Sequence, residues 1–204
     1  MAEQGDVPPE TVQEGAAGDD DDLETPGYKA PKKVDLETIQ KLDADDESLV
    51  KYKEQLLGKT EGVLDEGGQN VILKTLIFAP DGRDEMKLDL TGDLTKFKTN
   101  PIVIKEGTKY KLKIEFRVQR EIVAGLKYVQ RVYRKGIKVE TNQWMVGSYG
   151  PKTECCVYTT PEEDTPSGMM SRGHYTVKSQ FIDDDKHSYL DWEWAFDIKK
   201  EWAE

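Results

Sequence analysis

The chain has 204 residues, a formal net charge of -11, 36% hydrophobic and 34% charged residues. That is enough for one well-buried domain with an appendage, and it is polar for a single compact globule. No stretch approaches the roughly 18 apolar residues of a membrane-spanning helix, and "MAEQGDVPPE" lacks the basic-then-apolar order of a secretory leader.

The charge is unevenly spread. Residues 1–66 hold 19 acidic and 7 basic side chains, a net of -12, and residues 67–204 hold 21 and 22, a net of +1; the sum is -11. Of the 18 Phe, Trp and Tyr residues, only Tyr28 and Tyr52 precede residue 67. A segment so charged and so poor in rings cannot bury enough apolar surface to offset its ordering entropy. The expected organisation is a disordered acidic tail at 1–27, an arm at 28–66 and a folded domain at 67–204.

In chain order, the tail carries "GDDDD" at 18–22 and no Lys or Arg, the mark of a solvated segment. The stretch "DLETIQKLDADDESLVKYKEQLLG" then predicts a short helix-loop-helix, broken near Asp43 to Asp46. Asp45 or Asp46 can cap the second helix, and Gly58 stands where a left-handed stop is expected. Leu49, Tyr52 and Leu56 recur at helical spacing and form one apolar stripe. About 12 residues are marginal as an isolated helix. The stripe therefore needs a surface, either its own domain or a partner on which the arm folds.

After "GVLDEGGQN" the period becomes two. In "KYKLKIEFRVQ", Tyr110, Leu112, Ile114, Phe116 and Val118 face one way and the charged residues the other. Further strands are expected in "NVILKTLIFA", "MKLDL", "IVIK", "LKYVQRVYRK", "IKVETNQWMV", "ECCVYTT" and "HYTVKSQFI", parted by turn signals such as "PDG", "TGD", "KEG" and "TPEEDTPSG". Eight or nine short strands with no helical period predict an all-β, antiparallel β-sandwich. The last strand, "YLDWEWAFDIKKEW", puts Leu190, Trp192, Trp194, Phe196 and Ile198 on one face. With Phe78, Tyr110 and Phe116 these rings either fill a ring-rich core or wall an apolar ligand slot between the sheets.

No catalytic or metal-binding constellation is legible. Cys155 and Cys156 are adjacent, too close for an ordinary disulfide, which fits a reducing cytosol. His174 and His187 are too few for a structural zinc site, and "DDDKH" lacks the glycine and spacing of a calcium loop. "GSYG" does not place its Ser as a nucleophile elbow does. A near-neutral domain behind an acidic arm disfavours nucleic acid. The chain is expected to be no enzyme and to carry no cofactor.

Nine stretches together resemble the Rho GDP-dissociation inhibitor family: "YKAPKK", "DADDESLVKYKEQLLG", "LDLTGDL", "VIKEG", "REIVAGLKYVQ", "YRKGIKV", "MVGSYGP", "FIDDDK" and "WEWAFDIKKEW". They run in the family's order from about residue 28 to the end. The resemblance implies an immunoglobulin-like β-sandwich whose slot takes the geranylgeranyl group of prenylated Rho-family small GTPases of Rho and Rac type, GDP-bound by preference. It implies a cytoplasmic monomer that forms a 1:1 heterodimer, without stable membrane insertion. Carried over by position, Asp45, Asp46, Tyr52, Asp184 and Asp185 match GTPase-binding positions. Leu56, Leu57, Phe78, Ile102, Tyr110, Ile122, Val177, Trp192 and Trp194 match prenyl-binding ones. The first 27 residues align with none of these stretches, "TECCVYTTPEEDTPSGMMSRG" departs from the family's glutamate- and aromatic-rich pattern, and Val177 replaces an expected isoleucine. These departures bear on slot shape and GTPase preference.

Overall fold

A computed structural model of the chain describes residues 46–49, 51 and 65–203. The predicted tail, most of the helix-loop-helix, and Asp45, Tyr52, Leu56, Leu57 and Gly58 lie outside the described residues. Residues 47–49 and 51 are helical. Their cap is Asp46, whose Oδ1 accepts the backbone N–H groups of Ser48 at 2.9 Å and Leu49 at 3.2 Å. These bonds satisfy donors that a helix start leaves open.

Ten strands follow: β1 (Val71–Pro80), β2 (Met86–Asp89), β3 (Ile102–Lys105), β4 (Lys109–Val118), β5 (Val123–Arg134), β6 (Ile137–Tyr149), β7 (Cys156–Thr159), β8 (Glu163–Asp164), β9 (Gly173–Ile182) and β10 (Ser188–Lys199). One sheet has the order β2-β1-β4-β7, with β8 also paired to β4; the other runs β3-β10-β9-β5-β6. Every described pairing is antiparallel except β3 with β10, which is parallel. Two-residue β8 and the helix α1 (Lys96–Thr99) were not expected. Both are too short to leave a period in the sequence.

The alternation read in β4 is the alternation observed. Leu112, Ile114, Phe116 and Val118 are buried, and Lys109 and Lys111 are exposed. Arg117 breaks the pattern, buried although it lies on the outward face. It pairs with Glu66 at 2.6 Å, so its charge is matched where the chain enters the domain. Gln119 fastens the same segment: its Oε1 accepts the Glu66 N–H at 2.7 Å, and its Nε2 donates to the carbonyls of Gly67 and Gln69. β10 buries Trp192, Trp194 and Ile198 as its pattern requires, and it buries Ala195 on the other face as well. α1 packs against β10 with Phe97 buried, and Lys98 pairs with Glu193. A sandwich built this way leaves its inner faces to decide what the interior holds.

Candidate functional site: an aromatic slot and an acidic turn

The interior is not packed solid. A cavity of about 310 Å³ lies between the sheets. Phe78 and Tyr110 of the first sheet face Val132, Tyr175, Trp194, Phe196 and Ile198 of the second across it. Strand register sets this grouping, because beyond a bulge between Leu73 and Thr75 β1 and β4 pair in step from Thr75–Glu115 to Pro80–Tyr110 and bring Phe78 near Tyr110. Their rings stack with centroids 4.8 Å apart. On the opposite wall Tyr175 stacks on Phe196 at 5.0 Å, and Trp194 tilts against Phe196 at 5.7 Å. Flat, two-torsion side chains locked against one another make rigid apolar walls.

One polar knot holds the wall in place. Buried Ser179 accepts a hydrogen bond from Trp194 Nε1 at 3.0 Å, and its hydroxyl shares another with Tyr128 at 2.9 Å. Burial pushes the Tyr128 hydroxyl well above its ordinary range, so it stays neutral. With its N–H satisfied inside the wall, Trp194 offers the cavity only its apolar ring.

The cavity reaches the surface between the edges of the two sheets. Glu140 and Asn142 come from β6, and Glu163 and Asp164 from β8. Glu163 is held above the ordinary glutamate value of 4.5, first by burial and then by the charges of Glu140 and Asp164. Burial, reinforced by the Glu163 charge, likewise raises the Tyr110 hydroxyl. The slot is therefore apolar inside with an acidic rim at its opening.

Of the residues assigned to a slot from the sequence, Phe78, Tyr110 and Trp194 line this cavity. Val177 and Trp192 are buried in the core outside its lining, and Ile102 and Ile122 are half-buried elsewhere. Trp192 belongs to a ladder with Tyr128 and Trp144, whose rings lie near-parallel at 5.9 and 5.4 Å. The Trp192 Nε1 is buried without a described partner. Sequence reading missed Gln130, Val132 and the rim carboxylates. Tyr128, Gln130 and Val132 alternate onto one face of β5, and that period was the signal available.

Asp184 and Asp185 lie in the β9–β10 turn, away from the slot. Asp184 ion-pairs with Lys127 at 2.7 Å and sits directly over Gly125, where an added Cβ would fall 1.8 Å from a carboxylate oxygen. Asp183 braces the turn, accepting the His187 N–H at 2.9 Å and the Tyr189 hydroxyl at 2.7 Å. Asp185 is exposed. Lys127 stands seven residues along β5 from Arg134 at the slot, a separation of about 23 Å at 3.3 Å per residue.

Among the described residues no cluster of His, Cys, Asp and Glu could hold a metal, and no helix is long and apolar enough to cross a membrane. The site is an aromatic-walled slot inside a β-sandwich, apolar within and acidic at its rim. A sequence profile for "RHO protein GDP dissociation inhibitor" matches residues 13–201. The chain is 47% identical to Rho GDP-dissociation inhibitor 1 of Rattus norvegicus and 46% to that of Homo sapiens, each over 100% of both chains. It is 41% identical to Rho GDP-dissociation inhibitor 3 of Bos taurus, covering 98% of this chain and 86% of the relative. The chain belongs to the Rho GDP-dissociation inhibitor family.

Proposed function

We propose that the chain binds prenylated Rho-family GTPases, holds their geranylgeranyl group in the slot and blocks GDP release. The observation that carries this reading is the aromatic-walled cavity of about 310 Å³ in a chain of this family. Phe78, Tyr110 and Trp194 grip the lipid, with Trp192, Val177, Ile102 and Ile122 in reserve as it deepens. Leu56 and Leu57 cover the lipid from the arm. Asp45, Asp46 and Tyr52 engage the GTPase switches, and Asp184 and Asp185 meet the GTPase body.

The energetics assign each part a task. Burying a lipid chain contributes about 0.8 kcal/mol per CH₂, whether the host is bilayer or protein. The two hosts nearly cancel, so extraction from a membrane needs added affinity from the GTPase body, which the arm and the acidic turn supply. Carboxylates at a helix start accept strong hydrogen bonds from switch backbone and hydroxyl groups. Held there, the switches cannot open, and GDP stays bound. The arm gives up ordering entropy as it folds, which keeps the complex reversible.

The far end of the lipid reaches beyond the slot's present lining by parting the rings of the Trp144–Tyr128–Trp192 ladder. This step makes lipid capture slower than docking of the GTPase body.

The test is GDP dissociation from a panel of prenylated and unprenylated Rho-family GTPases at matched concentrations. The chain is expected to slow GDP release from prenylated forms most. Lipid binding with no effect on GDP release would make it a general prenyl-protein carrier. An absence of lipid binding would leave a scaffold sandwich and overturn the proposal. Raising salt from low to physiological should slow association, because the acidic arm attracts the basic tails that hold such GTPases on anionic membrane.

A further inference from the structure

Four of the exposed large apolar side chains gather in one place, while Leu49, Met145 and Val157 stand apart from it. Ile137 is 70% exposed, Val139 53%, Met169 81% and Met170 85%. All four sit at one end of the sandwich, beside the slot. Single exposed apolar residues need no explanation, but a cluster does.

These side chains are held out by ordered backbone. Lys135 and Gly136, at φ 51 and 81, form the two-residue turn joining β5 to β6 and project Ile137. Met169 and Met170 lie in the loop between β8 and β9, and Arg134 staples that loop to the hairpin. Its guanidinium donates to the carbonyls of Met170 at 2.6 Å and Arg172 at 2.8 Å. Glu106 braces the other side, accepting the Gly168 N–H at 2.9 Å and two bonds from Arg172 at 2.8 and 2.6 Å. The Tyr175 hydroxyl donates to the Ser171 carbonyl at 2.7 Å. A loop braced in this way does not expose two methionines by fraying.

The two segments that build this tip carry only basic charges. Residues 134–139 and 165–173 carry Arg134, Lys135, Lys138 and Arg172 and no Asp or Glu, in a chain of net -11. Glu106 reaches this tip from the β3–β4 turn and pairs with Arg172. Glu140 and Asp164 directly flank these two segments in sequence, and with Glu163 they line the same cavity. The patch is continuous with the slot, because Val139, Pro166 and Ser171 line the cavity.

We infer that this tip is a bilayer-contact surface, with Met169, Met170 and Ile137 dipping among acyl chains and Lys135 meeting anionic headgroups, so that a prenyl chain passes from membrane to slot without crossing water. The inference rests on the slot being the prenyl site. Methionine suits such a contact because its unbranched, adaptable side chain fits irregular surroundings. Each basic residue near an anionic leaflet adds modest attraction, and a few protruding apolar side chains give brief contact in place of stable insertion. The rim carboxylates repel the headgroups, limiting the contact to the tip and easing departure with cargo.

The experiment compares the full-length chain with its M169S/M170S and M169L/M170L variants. A prenylated GTPase is loaded on phosphatidylcholine vesicles with and without phosphatidylserine, and its release is followed. A prenyl-cysteine analogue is titrated separately in solution. The serine variant is expected to extract at least about tenfold more slowly while binding the soluble analogue normally. The leucine variant is expected to extract at the normal rate, and phosphatidylserine to speed extraction. Equal extraction rates for the wild type and the serine variant would overturn the bilayer contact while leaving the slot intact. Equal losses in extraction and analogue binding would overturn it too, placing the methionines in lipid binding itself. If the wild type binds no analogue, it is the slot that fails.

Discussion

Replacing Trp194 with alanine separates a lipid wall from ordinary core. The indole is buried, donates to Ser179 and lines the slot. A buried Trp covers about 150–250 Å². If about a third of it faces the lipid, roughly 50–80 Å² at 25 cal/mol per Å² gives ~1.3–2 kcal/mol, or about 10- to 30-fold in affinity. The same change costs the fold about 3–5 kcal/mol, as large-to-small changes in cores do. The assay must therefore compare two affinities under conditions in which the variant is folded, namely those for prenylated and unprenylated GTPase. The account expects the prenylated form to lose about 10- to 30-fold and the unprenylated form to change little. Trp194→Phe keeps an apolar wall and should retain most of the affinity. Equal losses for the two forms would refute the reasoning, because they would make β10 a scaffold whose damage spreads everywhere.

Other consequences follow from single contacts. Ser179→Ala orphans the Trp194 N–H and the Tyr128 hydroxyl and should cost about 2–6 kcal/mol by urea unfolding, at ~1–3 kcal/mol per orphan. Adding Tyr128→Phe removes one orphan and should recover part of that loss, whereas plain additivity would deny the shared knot. Gly125→Ala forces a left-handed residue at φ +63 to carry a Cβ against Asp184. It should weaken GTPase binding and leave a prenyl-cysteine analogue unaffected; unchanged GTPase affinity would remove Asp184 from the interface. Stability should fall as pH drops below about 4.5, because Arg172 holds the Glu106 carboxyl under that ordinary value and the folded state then takes up fewer protons than the unfolded chain. Glu106→Gln should flatten that part of the acid profile measured by thermal unfolding.

The fold was legible because its strands write their period plainly. β4 alternates Tyr110, Leu112, Ile114, Phe116 and Val118 against Lys and Glu, and β10 sets its indoles on one face. What escaped was short or set by distant pairing. β8 and α1 last two and four residues, too few for a period, and the parallel match of β3 to β10 depends on topology that no local pattern encodes. The slot was half legible. Phe78, Tyr110 and Trp194 show themselves by bulk, whereas Val132 and Gln130 look like any strand interior until β5 is laid beside β9. The rim carboxylates escaped because "TPEEDTPSG" reads as a turn, yet its Glu163 and Asp164 form a strand on β4 that brings them to the opening. The sequence alone could not choose between a filled core and an open slot. That choice depends on register across two sheets.

The most direct test of the central claim is an NMR titration with geranylgeranyl-cysteine methyl ester, following the side-chain resonances of Phe78, Tyr110, Val132 and Trp194. The account expects saturable shifts concentrated on those four residues, spreading to Trp192 and Tyr128 as the slot deepens, with Asp184 and the β9–β10 turn unmoved. Saturation with shifts confined to surface residues, or no shifts at all, would contradict it.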